Sequence, residues 1–193
     1  MKNKVWLPVV IILLVLGTYT MSAYNGFVAK DEGVNKNFSE LQAVYQRRVD
    51  LLPNLVAVVK ANSAFEQTVL QQVTEARALA AQVTQTSIPE GDAFKKLEGA
   101  QGELANATNR LLAVIENYPT LKATDAYLKL QTQLEGTERR IKLARNDFNE
   151  AVNVYNKSVR SFPAKMVAGV FGFKIKEGFQ ADKGAAQPPE IKF

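Results

Sequence analysis

The 193 residues carry 24 Lys and Arg against 19 Asp and Glu, a net charge of +5, and contain neither Cys nor His. That inventory excludes disulfides, thiolate metal sites, a lipidated cysteine and a histidine general base. The positive excess is small and forms no clustered basic face, so no nucleic-acid partner is expected.

The chain begins with Lys2 and Lys4, then runs uncharged from Val5 to Ala29 around the apolar heart Val5–Leu16. A bilayer core takes about 20 helical residues, and residues 5–23 supply that length, so the first partner is a lipid bilayer. Trp6 and Tyr24 stand near the two ends of the run, as interfacial aromatics do. Two lysines before an apolar run also describe a cleaved signal peptide. The run is long for that, and Met21-Ser-Ala23 puts a large residue where cleavage wants a small one, so an uncleaved anchor is preferred. Thr18, Ser22 and Gly26 fall four apart, a spacing that permits close helix packing and a homo-oligomer, although chance places small residues there too. The flanking lysines, Lys2 and Lys4 against Lys30 and Lys36, give only a thin bias towards an outside bundle on a single-pass inner-membrane protein.

Three apolar seams follow. Val34, Phe38, Leu41, Tyr45, Leu52, Leu55, Val59, Val69, Val73, Ala76, Ala80 and Val83 trace one face of a long helix. Pro53 lies inside it, where the chain either kinks or starts a new helix capped by Asp50. Because the seam keeps its phase there, the spacing predicts a kinked, continuous helix. Ser87-Ile-Pro-Glu90 has the form of a capping box and predicts the next helix, through Leu97, Ala100, Leu104, Ala107, Leu111, Val114 and Tyr118 to a stop at Pro119. The last seam is Leu130, Leu134, Thr137, Ile141, Ala144, Phe148, Ala151, Tyr155, Ser158 and Phe162, ended by Pro163. Such heptads predict helices packed about 20° off antiparallel. The glycine-rich stretch after Pro163 is too short for much helix, and residues 181–193 read as an extended, mobile tail. The organisation is therefore all-α: an anchor over 1–29, a helical bundle over 30–180, and the tail.

Two polar patterns stand out. Asn146, Asn149, Asn153 and Asn156 recur at three and four along one helix, although asparagine is a mediocre helix former. They read as interhelical hydrogen bonds that fix register, or as a polar groove for a partner chain or small ligand. Arg48, Asn62 and Glu66 occupy seam positions, where a buried charge needs a partner. A network is expected to join Arg47 or Arg48 to Asp50, Glu66, Glu116 or Glu138, with Asn54 and Arg145 beside it. Glu66 and Glu138 also permit a carboxylate dyad, but no Glu-x-x-His pair exists to hold a di-metal centre.

The segments Gln46–Val56, Glu116–Ala123, Leu130–Glu138, Ala144–Asn149, Tyr155-Asn156, Phe162-Pro163 and Gly172-Phe173 together resemble the LemA family of LemA/MamQ-like bacterial membrane proteins. The likeness runs from about Tyr24 to Phe179 and returns in Pro189–Phe193. It implies an up-and-down bundle of four helices after a single membrane helix, with no established activity, cofactor or site residues to transfer. Reaching four helices requires a break near Pro53 or a short helix after Pro163. One departure is Tyr45-Gln46, where many relatives have a leucine. The functional expectation is a non-enzymatic scaffold that binds other envelope proteins. The alternatives are a membrane-remodelling or sensing oligomer and a hydrolase using Glu66 and Glu138.

Overall fold

The computed structural model describes residues 6–61, 66–84 and 87–180. Lys2, Lys4, Val5, Asn62 and the tail over 181–193 lie outside the described residues. The elements are α1 (Trp6–Lys60), α2 (Gln67–Gln82), α3 (Asp92–Ile115), α4 (Pro119–Lys122), α5 (Asp125–Arg160) and α6 (Ala164–Phe171), with no strand among the described residues.

Helix α1 is 55 residues long, about 80 Å at 1.5 Å per residue. Its first half is an exposed apolar rod, long and apolar enough to cross a membrane. Burial begins at Phe27 and then follows the predicted face through Val34, Phe38, Leu41, Tyr45, Leu52, Leu55 and Val59. Cross-helix pairs fix the directions. Arg77 of α2 reaches Val49, Arg110 of α3 reaches Gln72, and Phe38 and Phe94 both meet Phe148 of α5. The bundle therefore runs up through α1, down through α2, up through α3 and down through α5.

The chain turns back on itself between Lys60 and Glu66, not at Pro53. A single helix reaching Val83 is thus corrected to two antiparallel helices. Both arms of this hairpin present an apolar face in the same heptad phase, and periodicity carries no sign of direction. The fourth long helix comes from this reversal, and the segment after Pro163 adds a short helix, α6, as the chain also does at α4. The glycine-rich sequence predicts little helix here, and the eight residues of α6 are a short one. It closes on Gly172, whose φ of 77° is the left-handed conformation that lets Phe173 N–H reach back to Ala168 O at 2.9 Å.

Helix α1 continues through Pro53. Proline has no N–H, so the carbonyl of Val49, four residues earlier, loses its helical donor. Arg77 supplies the replacement, with Nε donating to Val49 O at 2.9 Å. One arginine on α2 thus repairs the helix and pins the hairpin. Arg77→Met is expected to cost about 1–2 kcal/mol, the penalty for stranding a half-buried acceptor. In a Pro53→Ala background the new N–H takes that carbonyl, and the same substitution should cost less than half as much. Thermal unfolding of the wild type and the three variants in detergent measures the coupling; equal losses in both backgrounds would refute the repair.

Two further boundaries differ from expectation. Helix α3 starts at Asp92 on Gly91, which has φ 57°, and no side-chain cap forms at Ser87. Ile88 and Pro89 are instead drawn into the core, and the residue before a proline resists helical geometry. On α5, Leu134, Thr137, Ile141, Phe148 and Tyr155 are buried as expected, joined by Val152 and Val159. Phe162 is 85% exposed, because the helix ends at Arg160 and the chain bends away.

Candidate functional site

The apolar core is split in two. A cluster next to the apolar half of α1 holds Phe27, Phe38, Tyr45, Leu97, Ile141 and Phe148, and a distal cluster holds Val49, Leu52, Leu104, Leu111 and Leu134. Between them lies a polar layer to which α1 contributes Arg48, α3 Gln101 and α5 Glu138. Arg48 is 2% exposed. Its Nη1 donates to Glu138 Oε1 at 3.0 Å and Oε2 at 3.3 Å, and its Nη2 donates to the Gln101 carbonyl at 2.9 Å and to Gln101 Oε1. Arg48 Nε, Gln101 Nε2 and both polar atoms of the buried Gln42 on α1 have no hydrogen-bond partner in the protein. An under-satisfied ionic layer of this kind weakens a core while specifying how helices align, since any slip buries a charge without its partner.

One turn down, Arg145 Nε donates to Tyr45 Oη at 2.8 Å. Burial pushes the Tyr45 phenol above its usual range, although the nearby Arg145 and Arg48 charges pull the other way. The ring is therefore held neutral as a hydrogen-bond acceptor, and the Arg48 guanidinium lies over it at 5.7 Å.

The remaining expected network members go elsewhere. Arg47 and Asn54 are exposed, and Asp50 accepts from Gln46 at 2.8 Å on the same helix. Glu116 pairs with Lys122 of α4. Glu66 sits exposed at the start of α2, while Glu138 is committed to Arg48, so the two carboxylates of the dyad are not brought together. Among the described residues no group of three acidic side chains is placed to hold a metal ion.

The asparagine row divides by role. Asn146 and Asn153 are exposed. Asn149 and Asn156, one heptad apart on α5, each grip the extended strap that follows α6. Asn156 donates to Lys176 O and accepts from Lys176 N–H, both at 2.8 Å. Asn149 donates to Phe179 O at 3.0 Å and accepts from Phe179 N–H at 2.8 Å. Each amide thus completes a residue's backbone as a neighbouring strand would. A polar groove exists here, and its occupant is the chain's own C-terminal segment.

Side chains lock the strap. Phe179 enters the core against Phe94 and Phe148, at 4.8 and 5.6 Å between ring centroids, with the Arg145 guanidinium over its own ring, 4.6 Å from the centroid. Lys176 pairs with Asp31 of α1 at 2.9 Å. The Glu177 carboxylate accepts from Gly91 N–H at 3.2 Å. Gly178 passes so close to α5 that a Cβ would stand 2.9 Å from Asn149 Oδ1. Sequence reasoning found the asparagines but not Asp31, Gln101, Lys176, Gly178 or Phe179.

In the apolar half of α1, Thr18 returns its hydroxyl to Leu14 O and Val15 O, each at 3.0 Å, and Ser22 is exposed. The Gly26 carbonyl accepts from Lys30 Nζ at 3.2 Å, which sets a charge beside that end of the small-residue row.

Open grooves run between the helices of the bundle. One, about 460 Å³, lies between α2 and α3 and is lined by Gln72, Glu75, Leu79, Glu103, Asn106 and Arg110, with Ala76 and Ala107 in its floor. Another, about 410 Å³, lies between α3 and α5 and brings solvent to Glu138 past Thr108 and Arg139.

The model of the LemA family matches residues 37–193. Magnetosome protein MamQ 2 of Paramagnetospirillum magneticum is 32% identical over 187 residues, covering 87% of this chain and 68% of the relative. Magnetosome protein MamQ of Magnetospirillum gryphiswaldense is 30% identical over 200 residues, covering 94% of this chain and 73% of the relative.

Proposed function

Because the chain belongs to the LemA family, we propose that it is a membrane-anchored scaffold whose distal grooves receive other envelope proteins, with no bond-making chemistry of its own. The observation that carries this reading is where the polar groups point. The charged and asparagine side chains that converge between the helices are committed within the protein, Arg48 to Glu138 and Gln101, and Asn149 and Asn156 to the strap. The α2–α3 groove, by contrast, offers Glu75, Glu103 and Arg110 around the 40% exposed Leu79. A mixed-charge rim around an apolar floor suits a protein segment better than a small substrate.

On this reading α1 holds the bundle at the cytoplasmic membrane of a bacterium, with the bundle outside. The oligomer alternative has less support, since Lys30 occupies one end of the small-residue face. A photocrosslinker placed at Asn106 of the full-length chain in intact cells is expected to give discrete protein adducts that Leu79→Arg diminishes at least about tenfold, the loss of roughly 1.4 kcal/mol. Adducts unchanged by Leu79→Arg, or no adducts, would overturn the groove as the docking site.

A further inference from the structure

Large exposed apolar side chains outside α1 are not evenly spread. Leu79, Leu128, Leu143 and Val154 are scattered, whereas Phe162, Met166, Val170, Phe171 and Ile175 crowd into α6 and its flanks. Phe162, Met166 and Val170 recur at four along one side of that segment, while Val167 and Ala168 on the other side are buried against the bundle. A helix with one face packed and the other apolar face bare requires something to cover it.

Position and charge identify the cover. The ring of Phe171 meets Tyr24 at 5.1 Å, and Phe173 meets Tyr24 at 5.5 Å and Phe27 at 5.1 Å. Phe171 also shares an apolar notch of about 420 Å³ with Gly17, Thr20, Met21 and Tyr24. The end of α6 is therefore level with the last turns of the apolar rod of α1, not with the polar stalk above it. The segment from Ala151 to Lys176 carries Lys157, Arg160, Lys165, Lys174 and Lys176 and no carboxylate. On the facing part of α1, Asp31 is already taken by Lys176, and Glu32 is exposed. Bare hydrophobic side chains, a run of cations with no carboxylate among them and continuity with an exposed apolar helix match the interface of a bilayer containing acidic lipids.

We propose that α6 and its flanks, Phe162 to Ile175, form a foot that lies in the headgroup–acyl boundary of the leaflet α1 enters, with Lys165 and Lys174 at lipid phosphates. The foot and α1 then hold the bundle at two points, which fixes its tilt instead of leaving it to swivel on one helix. This rests on α1 being embedded, and the test separates the two claims.

The chain has no cysteine, so single cysteines introduced at exposed sites carry nitroxide labels uniquely. The full-length protein is reconstituted in phosphatidylcholine–phosphatidylglycerol vesicles with labels at Leu13→Cys, Val170→Cys, Met166→Cys and Leu143→Cys. Oxygen is expected to relax the Val170 and Met166 labels several-fold more than the Leu143 label, while a water-soluble nickel chelate relaxes them several-fold less, for a depth of about 5–10 Å. Lys165→Glu with Lys174→Glu should return the Val170 label towards the aqueous values. Labels at Val170 and Met166 as water-accessible as Leu143, with Leu13 still in lipid, would overturn the foot alone. A Leu13 label in water would overturn the anchor as well. Immobilised labels shielded from both relaxants would mean a protein covers the face, and would also overturn it.

Discussion

Glu138→Leu is expected to cost the bundle about 3 kcal/mol, and adding Arg48→Met to recover more than half of that loss. The asymmetry follows from burial. Glu138 is partly open to the α3–α5 groove, so removing it sacrifices little solvation of its own. Arg48 is sealed from water, and without the carboxylate its charge is left with the neutral oxygens of Gln101. Methionine at position 48 removes that charge and bridges the two apolar clusters, leaving the Gln101 side chain as the remaining polar group to satisfy. Arg48→Met alone should cost about 1–2 kcal/mol, because the freed carboxylate can turn towards solvent. For a chain of this size each kcal/mol moves the melting temperature by about 2–4 °C, so circular dichroism in detergent resolves the series. A double variant as unstable as the sum of the singles would mean that the pair is not coupled and that the layer is held by Gln101.

The same layer shows how sequence reading succeeds and where it stops. Arg48 and Glu138 were legible because a charge on an apolar seam demands a partner, and the family of candidate carboxylates was short. Gln101 was legible in principle. Leu97, Gln101, Leu104, Thr108, Leu111 and Ile115 step by four and three, and all are buried. Following the alanines Ala100 and Ala107 instead gives an equally regular but more apolar row, and that choice concealed the polar member. The reversal between α1 and α2 was hidden for a different reason. Helical periodicity records which side is wet, not which way the chain runs, and the polar seam positions Asn62 and Glu66 were the only local sign of a turn. The strap lay further from reach. Its backbone is paired by side chains on α5, so neither strand alternation nor helical spacing marks it, and the asparagines declare a groove without declaring what fills it.

Asn149→Leu with Asn156→Leu is expected to release the strap, because the Lys176 and Phe179 backbones lose every side-chain hydrogen bond described for them. At about 1 kcal/mol per bond, the local opening free energy falls by about 3–4 kcal/mol, and amide exchange across 174–180 accelerates several-hundredfold. Asn146→Leu and Asn153→Leu, on the exposed members of the same row, should change stability by less than about 0.5 kcal/mol. Gly178→Ala probes the fit from the other side. Its Cβ would press on Asn149 Oδ1 at 2.9 Å, which should cost about 1–3 kcal/mol of strap docking. In an Asn149→Ala background the obstructing oxygen is gone, and the added methyl should then cost almost nothing beyond the asparagine's own loss. Exchange at 174–180 that is insensitive to the Asn149 and Asn156 pair would leave Phe179 and its aromatic partners as the sole clamp. If the asparagines do govern it, detachment also draws Phe179 out from between Phe94 and Phe148, so releasing the strap and loosening the core cluster of Phe38, Phe94 and Phe148 are one event.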